Sequence, residues 1–348
     1  LFSFCCSVNQ PSPAIVPQSA VRRLPRWALL LLCLAYILPG FLGRDPWRGA
    51  DMTALGYMLE LAQGQTPWLS PLLGDLPPET DGLLPYWLGA WAIQIGTPWL
   101  APEWAVRIPF VLLLSLTLPA TWYAIHDLAR SPGAQPVAFA FGGEAEPADY
   151  ARAMADGGLL ALLACLGLAQ PSHETTSYLV QLCCTTLVFF GLAAAPHRKV
   201  WSFLALMVGL PGLVLSGAPT LALIYGLGGS VMCLCDPNNV GASRPRLMAM
   251  GMALLALAVT ALAWQLDLWR WRVVWPQNGT KEWASLGRLL VWFTWPAWPL
   301  ALWTLWRWRK QILSRQLHRH LMLPLWFVVI SLGATLSTQP ADRALLLG

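Results

Sequence analysis

Six acidic residues lie in one stretch of a chain that is otherwise poor in charge. The stretch runs from Arg44 to Asp81, and its acids are Asp45, Asp51, Glu60, Asp75, Glu79 and Asp81, against the bases Arg44 and Arg48. A carboxylate within hydrogen-bond reach of a hydroxyl or an amine can take its proton and make it a nucleophile. Because long loops tend to be functional, this stretch predicts one wall of an active site.

Asp51 is the strongest candidate for a general base. It begins a segment, residues 51–64, whose apolar residues recur at the spacing of a short helix. A carboxylate near a helix N-terminus is stabilised by the helix dipole and by free N–H groups, so a capping role is expected as well. The two roles are compatible, and a base would have its side chain open to water.

Three further sites carry ionisable residues at the ends of apolar runs: Arg107, the pair His173-Glu174, and Asp342-Arg343. Guanidinium groups match phosphate oxygens, so Arg107 and Arg343 predict a phosphate site, although arginine at a span end also reaches water in the ordinary way. His173 and Glu174 either solvate a turn or supply a second acid that polarises a substrate or holds a cation.

The composition predicts a polytopic membrane protein. The chain is 56% hydrophobic and 11% charged, with a mean hydropathy of +0.52, whereas soluble domains carry roughly 25% charged residues. The net charge of +5 and the 21 Trp are typical of basic loops and interfacial rings in membrane proteins, so no nucleic-acid partner is predicted. The eight Cys form no paired CxxC motif, so zinc is not predicted.

The apolar runs predict an all-α membrane helix bundle of about nine to ten spans. Nine of the runs are 27–42, 108–125, 157–170, 178–195, 201–215, 221–235, 247–264, 289–306 and 321–336, and a tenth begins where the chain ends, which suggests a C-terminal truncation. The basic residues Arg22, Arg23 and Arg26 predict a cytoplasmic segment over residues 1–26. The remainder, 27–348, is expected to be one transmembrane domain.

The same topology places the loop of residues 43–106 on the outer face. Within it, segments 51–64 and 83–95 are too short to span and predict juxtamembrane helices. The inner loops are mostly basic, and the segment Arg307–His320 holds five Lys/Arg and no acid. The acidic insert of residues 127–156 is the exception, since the topology also places it inside.

The run Arg44-Asp45-Pro46-Trp47-Arg48, followed by Asp51, resembles the first outer loop of bacterial GT-C membrane glycosyltransferases. These proteins are related to dolichyl-phosphate-mannose–protein mannosyltransferases and to the lipid A aminoarabinose transferase. The resemblance continues through residues 63–68, 71–74, 84–88, 104–109 and 342–346. The family's Asp-Glu pair is replaced here by Ala50-Asp51. Its frequent Glu-Lys-Pro-Pro run is replaced by Glu79-Thr80-Asp81-Gly82, so a lysine contact to the donor is missing.

The resemblance implies a glycosyltransferase in the bacterial inner membrane, with its active site facing the periplasm. An undecaprenyl-phosphate-linked sugar would be the donor, a lipid such as lipid A, a glycan or a protein the acceptor, and the anomer would invert. The implied catalytic residues are Asp51 and Glu174. Arg107, Arg343 and Arg48 would bind the donor phosphate, and Asp45, Glu79, Asp81 and His173 would line the loop. Some members use a divalent cation and others do not, and no other cofactor is implied.

Two alternatives stay open. A transporter or flippase of a lipid-linked sugar would place ionisable groups in the middle of its spans, whereas the predicted span centres here are almost free of charge. A non-catalytic member of the family, or a membrane scaffold, is compatible with the missing Glu and Lys. The sugar and the acceptor are not predicted by the sequence.

Overall fold

A computed structural model describes residues 12–46, 49–78, 82–235, 243–269, 280–314 and 318–337. This part of the chain is helical and contains no β-strand, so the predicted all-α class is confirmed. The helices are α1 (Arg26–Phe41), α2 (Ala50–Ala62), α3 (Leu84–Gly96), α4 (Pro102–Ala129), α5 (Pro147–Ala164), α6 (Ser177–Ala194), α7 (Lys199–Leu215), α8 (Pro219–Cys235), α9 (Ser243–Gln265), α10 (Thr280–Phe293), α11 (Ala297–Arg307), α12 (Arg309–Ile312) and α13 (Arg319–Ser337).

Four helices in the described ranges are long and apolar enough to cross a membrane: α4, α6, residues Arg246–Gln265 of α9, and α13. A fifth candidate is α5 together with the 3-10 turns of Leu166–His173, which are bent by 60° from it. The apolar helices α1, α7 and α8 have 16 or 17 residues, and a span needs about 20. Four to five candidate spans are therefore supported by length and composition, and the predicted nine to ten are not confirmed.

Two of the predicted spans are interrupted. In the run 157–170, α5 ends at Ala164 and Cys165 is extended, with φ −64° and ψ 115°. In the run 289–306, α10 ends at Phe293 and α11 begins at Ala297, directly after Pro296. Proline lacks the N–H that a helix interior needs, which accounts for the second break. Hydropathy alone treats both runs as continuous.

The helix α6 lies at the centre of the described bundle. In its span, 83% of the residues are buried inside the protein, against 33% for α4 and 22% for α13. Helix α7 approaches α6 closely, because a Cβ added at Gly209 would lie 2.9 Å from the carbonyl oxygen of Cys184. A helix that is apolar and buried on all sides is typical of a bundle centre, and α6 positions the elements at both of its ends.

The close approach at Gly209 gives a first prediction. Gly209→Ala should lower the free energy of unfolding by about 1–3 kcal/mol, because the added methyl would overpack α6 against α7. The matched control is Gly251→Ala in α9, where an added Cβ meets nothing within 4 Å. Unfolding of both variants in mixed micelles measures the difference, and equal stability of the two would show that α6 and α7 do not pack this closely.

The two short helices predicted in the first loop are present as α2 and α3, each of 13 residues. They pack on one another, and Gly89 of α3 leaves room for Met58 of α2. The amide of Leu83 donates a hydrogen bond of 2.7 Å to the carbonyl of Leu215 at the end of α7. The loop therefore lies where α1 and α7 end and where α4 and α6 begin, which we call the Asp51 end.

The opposite end joins the N-terminal segment to the acidic insert. The amide of Ala145 donates to the carbonyl of Val16 at 3.0 Å, and Asp149 pairs with Arg23. The insert is not all loop, since α5 begins at Pro147. Residues 12–24 and the insert therefore lie at the same end of the bundle, which we call the Asp127 end.

Candidate active site

Asp51 lies in the first turn of α2, and its side chain is 3% exposed. The helix starts after Gly49, whose φ of +89° favours glycine. The carboxylate accepts hydrogen bonds at Oδ1 from the amide (2.8 Å) and the hydroxyl (2.6 Å) of Thr175. Its Oδ2 is 3.0 Å from Nη1 of Arg44. The expectation that Asp51 opens to water is wrong, because these donors take the place of water around the carboxylate.

Arg44 joins three elements at this point. Besides Asp51, its guanidinium donates to the carbonyl of Gly40 near the end of α1, and to the carbonyl of His173 at 2.7 Å. The side chain of Arg44 is 13% exposed, so the ion pair with Asp51 is largely buried. The sequence pattern alone predicts no role for Arg44. The signal for one is physical: a carboxylate buried near a membrane needs a cation close by.

Arg107 lies in the second turn of α4 and is 5% exposed. Its Nη1 donates to the carbonyl of Phe41 at 2.9 Å, and its Nη2 donates to the carbonyl of Arg44 at 2.5 Å. The last carbonyls of a helix lack partners within that helix, so Arg107 caps the end of α1. The indole of Trp104 lies 4.7 Å from its guanidinium carbon. A phosphate bound here would share the guanidinium with these carbonyls.

His173 is buried, contrary to the idea of a polar pair that solvates a turn. Its ring lies between Tyr36 and Phe41, at centroid distances of 5.0 and 5.2 Å, and its Nε2 is 2.9 Å from the carbonyl oxygen of Tyr36. The absence of a side chain at Gly40 makes room for it, since a Cβ there would lie 2.0 Å from the ring. His173 therefore packs the turn Pro171–His173 against α1.

Glu174 is also mostly buried, at 8% exposure, and its Oε1 accepts a hydrogen bond from Gln170 at 3.2 Å. It is the residue directly before Thr175, which reaches Asp51. Thr175 was not singled out from the sequence, because a threonine in a turn carries no chemical signal of its own. The turn thus brings Glu174 into the neighbourhood of Asp51 although 123 residues separate them.

Four carboxylates, those of Asp45, Asp51, Glu103 and Glu174, lie around this site with the guanidiniums of Arg44 and Arg107. Asp45 and Glu103 are exposed, and both act electrostatically on Arg107, as do Arg44 and Asp51.

In the described ranges, no group of three or more His, Cys, Asp or Glu side chains is arranged to hold a metal ion. A cavity of about 10 Å³ beside Ser172 and Tyr36 has room for one water.

Four of the predicted site residues lie outside the described residues. They are Arg48, Glu79, Asp81 and Arg343. The other five, Asp45, Asp51, Arg107, His173 and Glu174, lie at the Asp51 end. Asp51, Arg107 and His173 are linked there through hydrogen bonds to Arg44.

The hydroxyl of Thr175 gives a second prediction. Thr175→Val should lower the free energy of unfolding by about 1.5–3 kcal/mol, because a hydrogen bond to a buried carboxylate is lost. Thr175→Ser keeps the hydroxyl and serves as the control. Unfolding curves of the two variants measure the effect. If the Val variant is as stable as the Ser variant, the hydroxyl does not bond to Asp51.

The Asp51 end therefore contains a buried carboxylate, two guanidiniums and a polar turn in one hydrogen-bonded network. A carboxylate that accepts hydrogen bonds from an amide, a hydroxyl and a guanidinium is stabilised in its ionised form, which lowers its basicity. A nucleophile that replaces one of these donors restores that basicity and can give the carboxylate its proton. Comparison with family models, with curated proteins and with solved structures found no match to this chain.

Proposed function

We propose that this chain is a membrane glycosyltransferase that moves a sugar from a polyprenyl-phosphate donor to an acceptor at the Asp51 end. The observation that carries the proposal is the pair of hydrogen bonds between Asp51 and Thr175, across 124 residues of sequence. These bonds bring the candidate base beside Glu174. Arg107 lies one contact away, through the carbonyl of Arg44.

In the proposed reaction, an acceptor hydroxyl or amine attacks C1 of the sugar. The bond from C1 to the phosphate oxygen breaks, and the polyprenyl phosphate leaves with the electron pair, so the anomer inverts. Asp51 takes the proton of the acceptor. Arg44 and Arg107 stabilise the negative charge that develops on the leaving phosphate.

Arg44 links the two substrates in this scheme. Its Nη1 donates a hydrogen bond to Oδ2 of Asp51 in the structure. An acceptor can therefore reach that oxygen only when the Arg44 side chain moves away. A phosphate forms short, charge-assisted bonds with a guanidinium, as a carboxylate does, so the donor phosphate would compete with Asp51 for Arg44. In this scheme, donor binding draws Arg44 from Asp51 and frees the carboxylate for the acceptor.

We place the Asp51 end at the periplasmic face of a bacterial inner membrane, with nine to ten spans in the domain of residues 27–348. The support is the basic flank of α1 and the basic segment Arg307–His320. Trp91 and Trp99 of the first loop are 44% and 81% exposed, which suits indole rings at the level of the lipid headgroups. In this arrangement α2 and α3 lie along the outer surface.

A second candidate function is a non-catalytic membrane protein of the same architecture. The hydrogen bonds that Asp51 accepts from Thr175 and Arg44 favour this second function, because a purely structural carboxylate would have the same partners. The two functions differ in one observable, the release of polyprenyl phosphate, which a structural protein would not cause.

The test uses the purified full chain in lipid nanodiscs with polyprenyl-phosphate-linked sugars and a cell-envelope extract. Released polyprenyl phosphate is measured, and mass spectrometry compares lipid A, glycans and proteins from cells with and without the intact gene. A sugar that appears only with the intact gene supports the proposal and names the acceptor. A folded chain that releases no phosphate and changes no envelope mass supports the non-catalytic alternative.

A further inference from the structure

A basic cluster lies at the Asp127 end, where α4 and α6 end and α7 and α13 begin. We call it the Arg198 cluster, and it consists of Arg130, His197, Arg198, Lys199 and Arg319 around Asp127. Asp127 is fully buried, and its Oδ2 is 3.2 Å from Nε of Arg198. Asp127 also contacts His126, whose Nδ1 is 3.2 Å from its Oδ1.

The cluster carries an excess of positive charge. Arg198 contacts the carboxylate of Asp127, Arg130 and Arg319 act electrostatically on the neighbouring His197, and Lys199 follows Arg198 directly in the sequence. Burial, the largest effect, lowers the pKa of His197 below its ordinary value; Asp127 raises this pKa, while Arg130 and Arg319 lower it. The lowered pKa favours the neutral imidazole of His197, so the positive charge of the cluster belongs to the arginines and the lysine.

The start of α7 adds a second attraction for an anion. Arg198 is the N-cap residue of this 17-residue helix and makes no side-chain capping bond. The first N–H groups of a helix lack partners within it and point toward the positive end of the helix dipole. Phosphate groups bind readily at such N-termini. Lys199, the first residue of α7, and Arg130 are both exposed.

An apolar surface adjoins the cluster and indicates what the anion is attached to. Val200, Trp201 and Phe203 of α7 are 69%, 63% and 60% exposed. A free phosphate would not contact such an apolar surface, whereas the acyl chains of a lipid would cover it. We propose that the Arg198 cluster binds the phosphate of an anionic phospholipid, with the acyl chains against the exposed face of α7.

The test measures lipid retained by the purified full chain, using native mass spectrometry after transfer from phosphatidylcholine micelles that contain phosphatidylglycerol. The variant Arg130→Gln/Lys199→Gln removes two exposed charges from the cluster. Each basic residue near a membrane contributes about 1 kcal/mol to the binding of anionic lipid, so losing two should weaken retention roughly ten- to thirty-fold. The control Arg309→Gln/Lys310→Gln removes one arginine and one lysine from exposed positions of α12, which are not part of the cluster, so it should weaken retention by less than the cluster variant does.

Lys199→Gln alone is a second variant that keeps the test informative if the double variant unfolds, and it should weaken retention about five-fold. Equal losses in the cluster and control variants would overturn the proposal, because the lipid would then follow net charge alone. A second arm adds inorganic phosphate without lipid. Phosphate that displaces phosphatidylglycerol at millimolar concentration would also overturn it, in favour of a free-phosphate site. The proposal does not depend on the sugar-transfer function.

Discussion

Asp51→Asn is expected to lower the rate of sugar transfer by roughly a hundred- to ten-thousand-fold, the range typical of a lost general base. Asparagine has the size of aspartate and keeps an oxygen that accepts the two hydrogen bonds from Thr175. It cannot accept the proton of the acceptor. The measurement is the release of polyprenyl phosphate from a lipid-linked sugar by the purified full chain in nanodiscs.

The control for this variant is Asp75→Asn, which removes an exposed carboxylate from the same loop. Replacing Asp75 should change the rate of transfer little. Undiminished transfer by the Asp51 variant would refute its assignment as the base. A loss of transfer counts for the assignment only when the variant still unfolds cooperatively, because Asp51 also joins α2 to the turn before α6.

The second large effect is expected at Arg44. Arg44→Gln should lower the free energy of unfolding by about 3–5 kcal/mol, because it leaves the carboxylate of Asp51 buried without its cation. Unfolding in mixed micelles with increasing denaturing detergent measures this change. The double variant Arg44→Gln/Asp51→Asn should be more stable than Arg44→Gln alone, since it removes the unpaired charge.

Arg22→Gln is the matched control, because Arg22 is exposed in the N-terminal segment. It should change the free energy of unfolding by less than about 0.5 kcal/mol. If Arg44→Gln is no more destabilising than Arg22→Gln, or if the double variant shows no recovery, Arg44 and Asp51 are not a buried ion pair.

The helices of this protein could be predicted closely wherever an apolar run is continuous. The runs predicted at 178–195, 201–215 and 221–235 correspond to α6, α7 and α8 within two residues at each end. Hydropathy is a local property, and a continuous run of suitable length has few alternatives to a helix in a membrane. The short helices α2 and α3 follow from the same pattern.

The interruptions at Cys165 and Thr294–Pro296 were not predicted, and neither was the helix that forms the last ten residues of the acidic insert. Residues 147–156 carry too much charge to be recognised by hydropathy as part of a helix that continues into an apolar run. Their charges are explained by contacts distant in sequence: Asp149 pairs with Arg23, and Asp156 accepts a hydrogen bond from Trp122.

The residue types and their order predict a helical protein with apolar helices of membrane-spanning length and an acidic first loop, and they mark Asp51, Arg107 and the 173–174 turn as residues to examine. They do not reveal that Asp51 is buried, that Thr175 and Arg44 are its partners, or that Arg107 caps α1. The contacts of Thr175 and Arg107 join segments that are 60 or more residues apart in the sequence. Only Arg44 and Asp51 are close in sequence. A local pattern contains no information about which distant donor will replace water around a carboxylate, because that depends on how the helices pack.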